Sequence, residues 1–204
     1  MVKEPSVVGI GGSLAPISSS LTALKIAMNG ASSAGARTVI FDVRTLNLPF
    51  YAPGLEAPKN AVEMCEEIYQ AEGLIWSSPM YHGTISGSFK NAIDWFQLLA
   101  DRDPPYLQDK VVGLISTAGG VQGLQAVNTM EFIVRALRGW AVPLVIPIPN
   151  AMETFDGEGR ARDPKIEGLL DHLGREVVRA ARQFTTHGYC DYSHQASAEV
   201  FLRE

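Results

Sequence analysis

The sequence predicts a doubly wound α/β fold, a parallel sheet with helices on both faces. Three observations lead there. Strand-length apolar runs alternate with helix-patterned stretches five times along the 204 residues, the rhythm of βαβ units. The runs are nearly continuous in Val, Ile and Leu, as strands buried on both faces are. Turns rich in glycine or serine leave several of these runs, where an open parallel sheet binds its ligands.

The elements follow in order. Residues 6–10, SVVGI, form a first strand ending in GGS. A helix follows, with Leu21, Leu24 and Met28 on one face and Ala23, Ala27 and Ala31 beside them, until Gly35 breaks the pattern. RTVIFDV (37–43) is a second strand, and the proline-rich stretch 44–58 reads as a loop. Residues 59–71 are helical, and GLIWS (73–77) is a third strand that stops before Pro79. Phe89, Ala92, Ile93 and Phe96 recur at helical spacing, which gives a continuous helix over 86–100 with one buried face. Ser86 is placed to cap it. KVVGLIST (110–117) is a fourth strand and 124–139 a helix. VPLVIPI (142–148) is a fifth strand, which Pro143 and Pro147 assign to a sheet edge. Ile166, Leu169, Leu170, Leu173, Val177 and Phe184 mark a last helix.

One domain over 1–186 accounts for this pattern, with 187–204 left as a tail that either packs on the body or on a partner subunit or stays frayed. Hydrophobic residues make up 46% and charged residues 19%, enough for a substantial core. The net charge of −5 and the absence of a Lys/Arg run argue against a nucleic-acid surface. No apolar stretch reaches the ~18–20 residues of a membrane span, and the start, MVKEPSVVGI, lacks the apolar run of a signal peptide. Cys65 and Cys190 lie far apart without metal-ligand spacing. A reducing cytoplasm is the simplest setting for them.

Three loops carry unusual composition. GGSLAPISSS (11–20) places glycines and four serines where a helix begins. Free amides and the helix dipole make such a turn an anion site, although serines there also serve as simple caps. It is neither a G-x-G-x-x-G turn nor a Walker A loop. SSPMYHGTISG (77–87) sets Tyr81 and His82 at the mouth of the sheet, as ligand contacts or as exposed residues of a capped turn. STAGGVQG (116–123) is nearly bare of side chains over 118–120, so a flat ligand can approach its backbone. Together the loops describe a site with an anion at one end, aromatic and proline contacts midway, and a glycine wall. Flavin mononucleotide (FMN) has that shape.

Those three stretches, with FDVRTLNLPFY (41–51), resemble the NADPH-dependent FMN reductase family over about residues 6–150, most specifically in SPMYHGTISGSFKNAIDW. The resemblance implies a flavodoxin-like five-stranded sheet of order 2-1-3-4-5 with FMN at its carboxyl edge. It implies that Ser13, Ser18, Ser19 and Ser20 hold the phosphate. Pro79, Met80, Tyr81, His82 and Gly83 would border the ring, and Thr117, Ala118, Gly119 and Gly120 its other edge. Hydride from NADPH or NADH would pass through FMN to a flavin, quinone, azo compound or metal oxyanion, with no catalytic side chain required. The chain departs from the family at Ala15, where arginine is usual. The competing reading is a flavodoxin-type electron carrier. The bare third loop, which leaves a ring face open, and the modest net charge weigh against it. An iron–sulfur flavoprotein would need more than two cysteines. The family pairing implies a homodimer or homotetramer. Trp95 and Phe96 point the same way, because a single sheet contact buries only one of two neighbouring helix faces.

Overall fold

The computed structural model describes residues 4–186. Six strands and seven helices succeed one another: β1 (Ser6–Gly11), α1 (Ser19–Ser33), β2 (Arg37–Asp42), α2 (Val43–Leu46), α3 (Lys59–Gln70), β3 (Gly73–Tyr81), β4 (Thr84–Ile85), α4 (Gly87–Asp94), β5 (Val111–Thr117), α5 (Leu124–Ala136), β6 (Trp140–Ile148), α6 (Ala151–Thr154) and α7 (Pro164–Thr186). The parallel strands lie in the order β2-β1-β3-β5-β6. With the short β4 set aside, this is the expected order. The tail 187–204 and Cys190, and with it any pairing to Cys65, fall outside the described residues.

Side chains along the strands alternate between two cores, as the pleat requires. Val8, Ile10, Leu74, Trp76, Val112 and Leu114 face α3, α4 and α5. Val7, Ile75, Val111 and Ile115 face α1 and α7. The second layer is the tighter one. A Cβ on Gly174 would stand 1.9 Å from the Ala27 carbonyl oxygen, and one on Gly30 would stand 2.2 Å from that of Asp171. Helices α1 and α7 therefore touch backbone to backbone, and glycine is what lets them.

Several expectations are corrected. β3 runs on past residue 77 to Tyr81 and turns back through β4, pairing Met80 with Ile85 and Tyr81 with Thr84. Pro79 does not end the strand, because β1 stops pairing at Ser77 while β5 continues to Thr117 beside Pro79. One side of β3 there has no ladder for a missing N–H to break. The stretch 44–58 is not all loop: Asp42 accepts from the Arg44 amide at 3.0 Å and starts the single turn of α2. β6 lies at the edge as its prolines predict, with a register irregularity opposite Val112 and Leu114.

The helix expected over 86–100 is also broken. α4 ends at Asp94, and Trp95–Leu99 form a 3₁₀ turn. The tighter winding changes which way the two aromatics point. Trp95 lies under the segment after α2, with its Nε1 donating to the Pro49 carbonyl at 3.1 Å and Tyr51 packed edge-on at 5.3 Å. Phe96 packs on Trp76 at 6.2 Å. Each is only 1% exposed within one chain, so the argument that one of them needs a partner subunit does not hold.

Candidate functional site

The three loops leave β1, β3 and β5, which are neighbours in the sheet. Register puts Gly11 beside Ser77 and Pro79 beside Thr117. The loops, separate in sequence, therefore start side by side along one edge.

In the first loop Ser18 is the N-cap of α1, its hydroxyl accepting from the Leu21 amide at 3.2 Å. Ser13 donates to Ser18 at 3.2 Å, and Ser18 and Ser20 share a bond of 3.0 Å. Three buried hydroxyls thus form a chain at the helix start. The Ser77 hydroxyl donates to the Ser20 carbonyl at 2.8 Å and fastens this turn to β3. Ser19 is oriented differently: its hydroxyl donates to the Ala151 carbonyl at 3.0 Å. With Leu21 and Thr22 bonded to Ser18, the amides of Ser19 and Ser20 remain for an anion on the axis of the helix dipole. Ala15 is exposed, its amide donating to the Ser13 hydroxyl at 3.3 Å.

In the second loop His82 (φ 49) and Gly83 (φ 89) make the two-residue turn between β3 and β4. Two left-handed residues in succession are what a tight hairpin takes, and histidine there is strained. Ser78 braces the hairpin from below, accepting from the Ser86 amide at 3.1 Å and donating to the Pro79 carbonyl at 3.0 Å. Ser86 caps α4 as expected, through the Phe89 amide at 3.3 Å. Thr84 and Thr129 share a bond of 3.1 Å, which leans the hairpin on α5. Tyr81 and His82 are exposed and Met80 is partly buried at the strand end. Lys90 pairs with Asp94 one turn along α4, away from the loop edge. Asn91 and Trp95 both donate to the Pro49 carbonyl, at 3.0 and 3.1 Å, and Asn91 accepts from the Tyr51 amide at 2.9 Å. The most distinctive part of that sequence stretch is therefore a clamp on segment 48–51.

In the third loop Thr117 and Ala118 are buried, and the Ala118 amide donates to the Ile148 carbonyl at 2.9 Å. Gly119 and Gly120 are exposed, and a Cβ on either would meet nothing within 4 Å. Neither has the left-handed backbone that demands glycine. No packing among the described residues accounts for them, whereas a ligand lying on the backbone would.

Sequence reasoning overlooked Arg44, whose Nη1 donates to the Pro16 carbonyl at 3.3 Å inside the first loop. The only signal was Asp-Val-Arg after a strand, an Asx-capped turn that a loop reading hides. A cavity of about 260 Å³ adjoins this region, lined by residues that include Leu14, Asn47, Phe50 and Ser88. A larger, more open groove of about 580 Å³ around Arg135, Arg138 and Trp140 shares no residue with the three loops. It sits where β5 and β6 begin, at the opposite edge from the carboxyl ends. The Cys65 thiol donates to the Trp95 carbonyl at 3.4 Å, and burial pushes its pKa up to about 12. It is no nucleophile at neutral pH.

The family model for NADPH-dependent FMN reductase matches residues 5–153. An NADPH-dependent FMN reductase ArsH of Acidithiobacillus ferrooxidans is 38% identical over 160 residues, which cover 78% of this chain and 65% of that protein. The match thus spans just under two thirds of that relative's length. An FMN-dependent NADPH-azoreductase of Staphylococcus aureus is 36% identical over 91 residues, 45% of each chain. Among solved structures, the NAD(P)H:acceptor flavoenzyme FerB of Paracoccus denitrificans superposes with a TM-score of 0.70 at 20% identity, covering 88% of this chain and 98% of that one. At that identity the likeness concerns the fold.

Proposed function

The chain belongs to the NADPH-dependent FMN reductase family, and from that premise we propose that it is an FMN-dependent NAD(P)H oxidoreductase of one domain, residues 1–186. The observation that carries the reading is the pair Gly119 and Gly120, bare and with nothing among the described residues that requires glycine, on the same sheet edge as a chain of buried serine hydroxyls. The fit to FMN is chemical as well as geometric. Neutral hydroxyls and helix-start amides suit a phosphate dianion, and a glycine wall suits a flat ring.

Ser13, Ser18 and Ser20 hold the phosphate through their hydroxyls, and Ser19 contributes its amide. Pro79, Met80, Tyr81, His82 and Gly83 border one side of the ring, and Thr117, Ala118, Gly119 and Gly120 the other. Bound FMN supplies the hydride-accepting group for NADPH or NADH. The protein's work is placement: the braced hairpin and the tied third loop fix the borders and leave one face clear. A single clear face admits one flat partner at a time, so donor and acceptor take turns in a ping-pong cycle. Flavins, quinones, azo compounds and metal oxyanions are the acceptors in view. The azoreductase among the relatives supports the azo class.

The test is direct. Purified protein should carry a yellow flavin that chromatography after heat release identifies as FMN rather than FAD. Anaerobic NADPH should bleach it. A flavin that stays oxidised in NADPH and NADH alike overturns the reading. Initial rates that intersect on double-reciprocal plots would overturn the shared site.

A homodimer or homotetramer in the cytoplasm completes the proposal. Leu14, Ile17, Phe50, Val121 and Met152 are exposed apolar residues on and beside the loops, which supports a covering subunit there. Among the described residues no helix is long and apolar enough to cross a membrane. A monomer mass by light scattering at micromolar concentration would refute the assembly.

A further inference from the structure

A phosphate cradle built only of neutral donors is a weak one, and residues 12–18 include no basic side chain. A carboxylate stands close by, since a Cβ on Gly12 would lie 2.7 Å from Asp42 Oδ1. That charge repels a phosphate. The fold offsets it with a cation from the turn that follows the next strand. Asp42 pairs with Gly11 in the ladder, so β2 ends level with the start of the first loop. The Asp42 side chain then holds the Arg44 amide at 3.0 Å and fixes the α2 turn at that edge. From there the exposed Arg44 side chain reaches across to the Pro16 carbonyl. Pro16 is two residues before the cap of α1.

We propose that Arg44 is the cation of the phosphate subsite, filling from the α2 turn after β2 the part that Ala15 leaves empty in the loop itself, and that it makes the site select phosphorylated flavin over riboflavin. The inference rests on the FMN reading above. Arg44 is suited to the part. A guanidinium carries five N–H donors, and the bond to Pro16 is long and solvent-exposed. Turning part of the fork toward a phosphate costs little, and a charge-assisted bond is gained. A lysine on the same stem would supply charge without the fork.

The experiment uses the full chain stripped of flavin, titrated with FMN and with riboflavin at low and high salt. R44Q should weaken FMN binding about tenfold and leave riboflavin unchanged. It should also flatten the salt dependence, with R44K falling between. Adding A15R to R44Q should recover most of the loss, because either position then serves the same anion. Unchanged thermal midpoints confirm that the variants fold. If R44Q weakens both flavins equally, or weakens neither while the parent binds FMN well, Arg44 does not serve the phosphate and only this inference fails. The same holds if the change lies in NADPH over NADH preference with FMN affinity intact. If the parent binds neither flavin, the FMN reading fails and takes Arg44 with it.

Discussion

Gly119 and Gly120 allow the cleanest separation of folding from binding at the level of single residues. A methyl group at either position has open space around it, so Gly119→Ala and Gly120→Ala should leave the thermal midpoint essentially unchanged. The same methyl would stand where the ring is proposed to lie, and FMN affinity should fall about tenfold or more. Equal affinity, measured by fluorescence titration of the stripped protein, would remove the third loop from the site. Ala15 works in the other direction. It is exposed beside the Ser13 hydroxyl, so Ala15→Arg should tighten FMN binding several-fold and riboflavin not at all. The gain should be larger when Arg44 is absent. These loops were legible in the sequence because glycine and serine at strand ends speak for themselves. Arg44 was not: it comes from the α2 turn after β2, and only the pairing of β1 with β2 brings it 3.3 Å from the Pro16 carbonyl. The Ser19 hydroxyl was expected among the phosphate ligands, yet it bonds to Ala151, which is 132 positions away in sequence.

At the scale of elements, the α1–α7 contact decides more stability than its modest side chains suggest. Gly174→Ala would drive a Cβ to 1.9 Å from the Ala27 carbonyl and 2.6 Å from the Ala31 amide. Both are helix backbone and cannot swing away, so the helices must separate. The expected loss is at the upper end for a point change, about 3 kcal/mol or more. Gly168 lies on the same helix with nothing within 4 Å of its Cβ position. Gly168→Ala should stabilise by up to about 1 kcal/mol through helix propensity alone. Urea midpoints of the two variants should move in opposite directions, and a small loss for Gly174→Ala would contradict the close packing. The strand order and both helical layers were readable because apolar period and strand length report burial directly. The β3–β4 hairpin was not, since two residues of antiparallel pairing leave no period to detect. The 3₁₀ turn at Trp95 was missed for a related reason: an ideal helical wheel separates Trp95 from Phe96, and tertiary packing rewound the chain to bury both.

At the scale of the whole molecule, Cys65 is the one buried ionisable side chain of the larger core among the described residues. Cys65 is 3% exposed on α3. Burial is the main cause that raises its pKa from 9.0 to about 12, with the Glu66 carboxylate adding to it and the Arg102 guanidinium opposing it. The thiol proton is also committed to the Trp95 carbonyl at 3.4 Å. The sign of the effect on stability follows from linkage. Below pH 9 the thiol is protonated in folded and unfolded chains alike, and it contributes nothing to the pH slope. Between 9 and 12 the unfolded chain releases the proton while the folded chain keeps it. The unfolded state therefore binds fewer protons, and stability falls as pH rises. By pH 10 the loss should be about 1.4 kcal/mol, one unit's worth of shift. The measurement is taken as a difference between two chains, so that contributions from other groups cancel. The urea-unfolding free energy of the parent should decline more steeply from pH 8.5 to 10.5 than that of Cys65→Ala, whatever the offset between them at pH 8. Parallel slopes would mean that Cys65 ionises as freely in the folded core as in the unfolded chain. The burial of α3 against the 3₁₀ turn would then be looser than its geometry implies. A second readout follows from the same burial: in the parent at pH 8, Cys65 should react with a thiol reagent only at the rate of global unfolding, located by peptide mapping of the labelled chain.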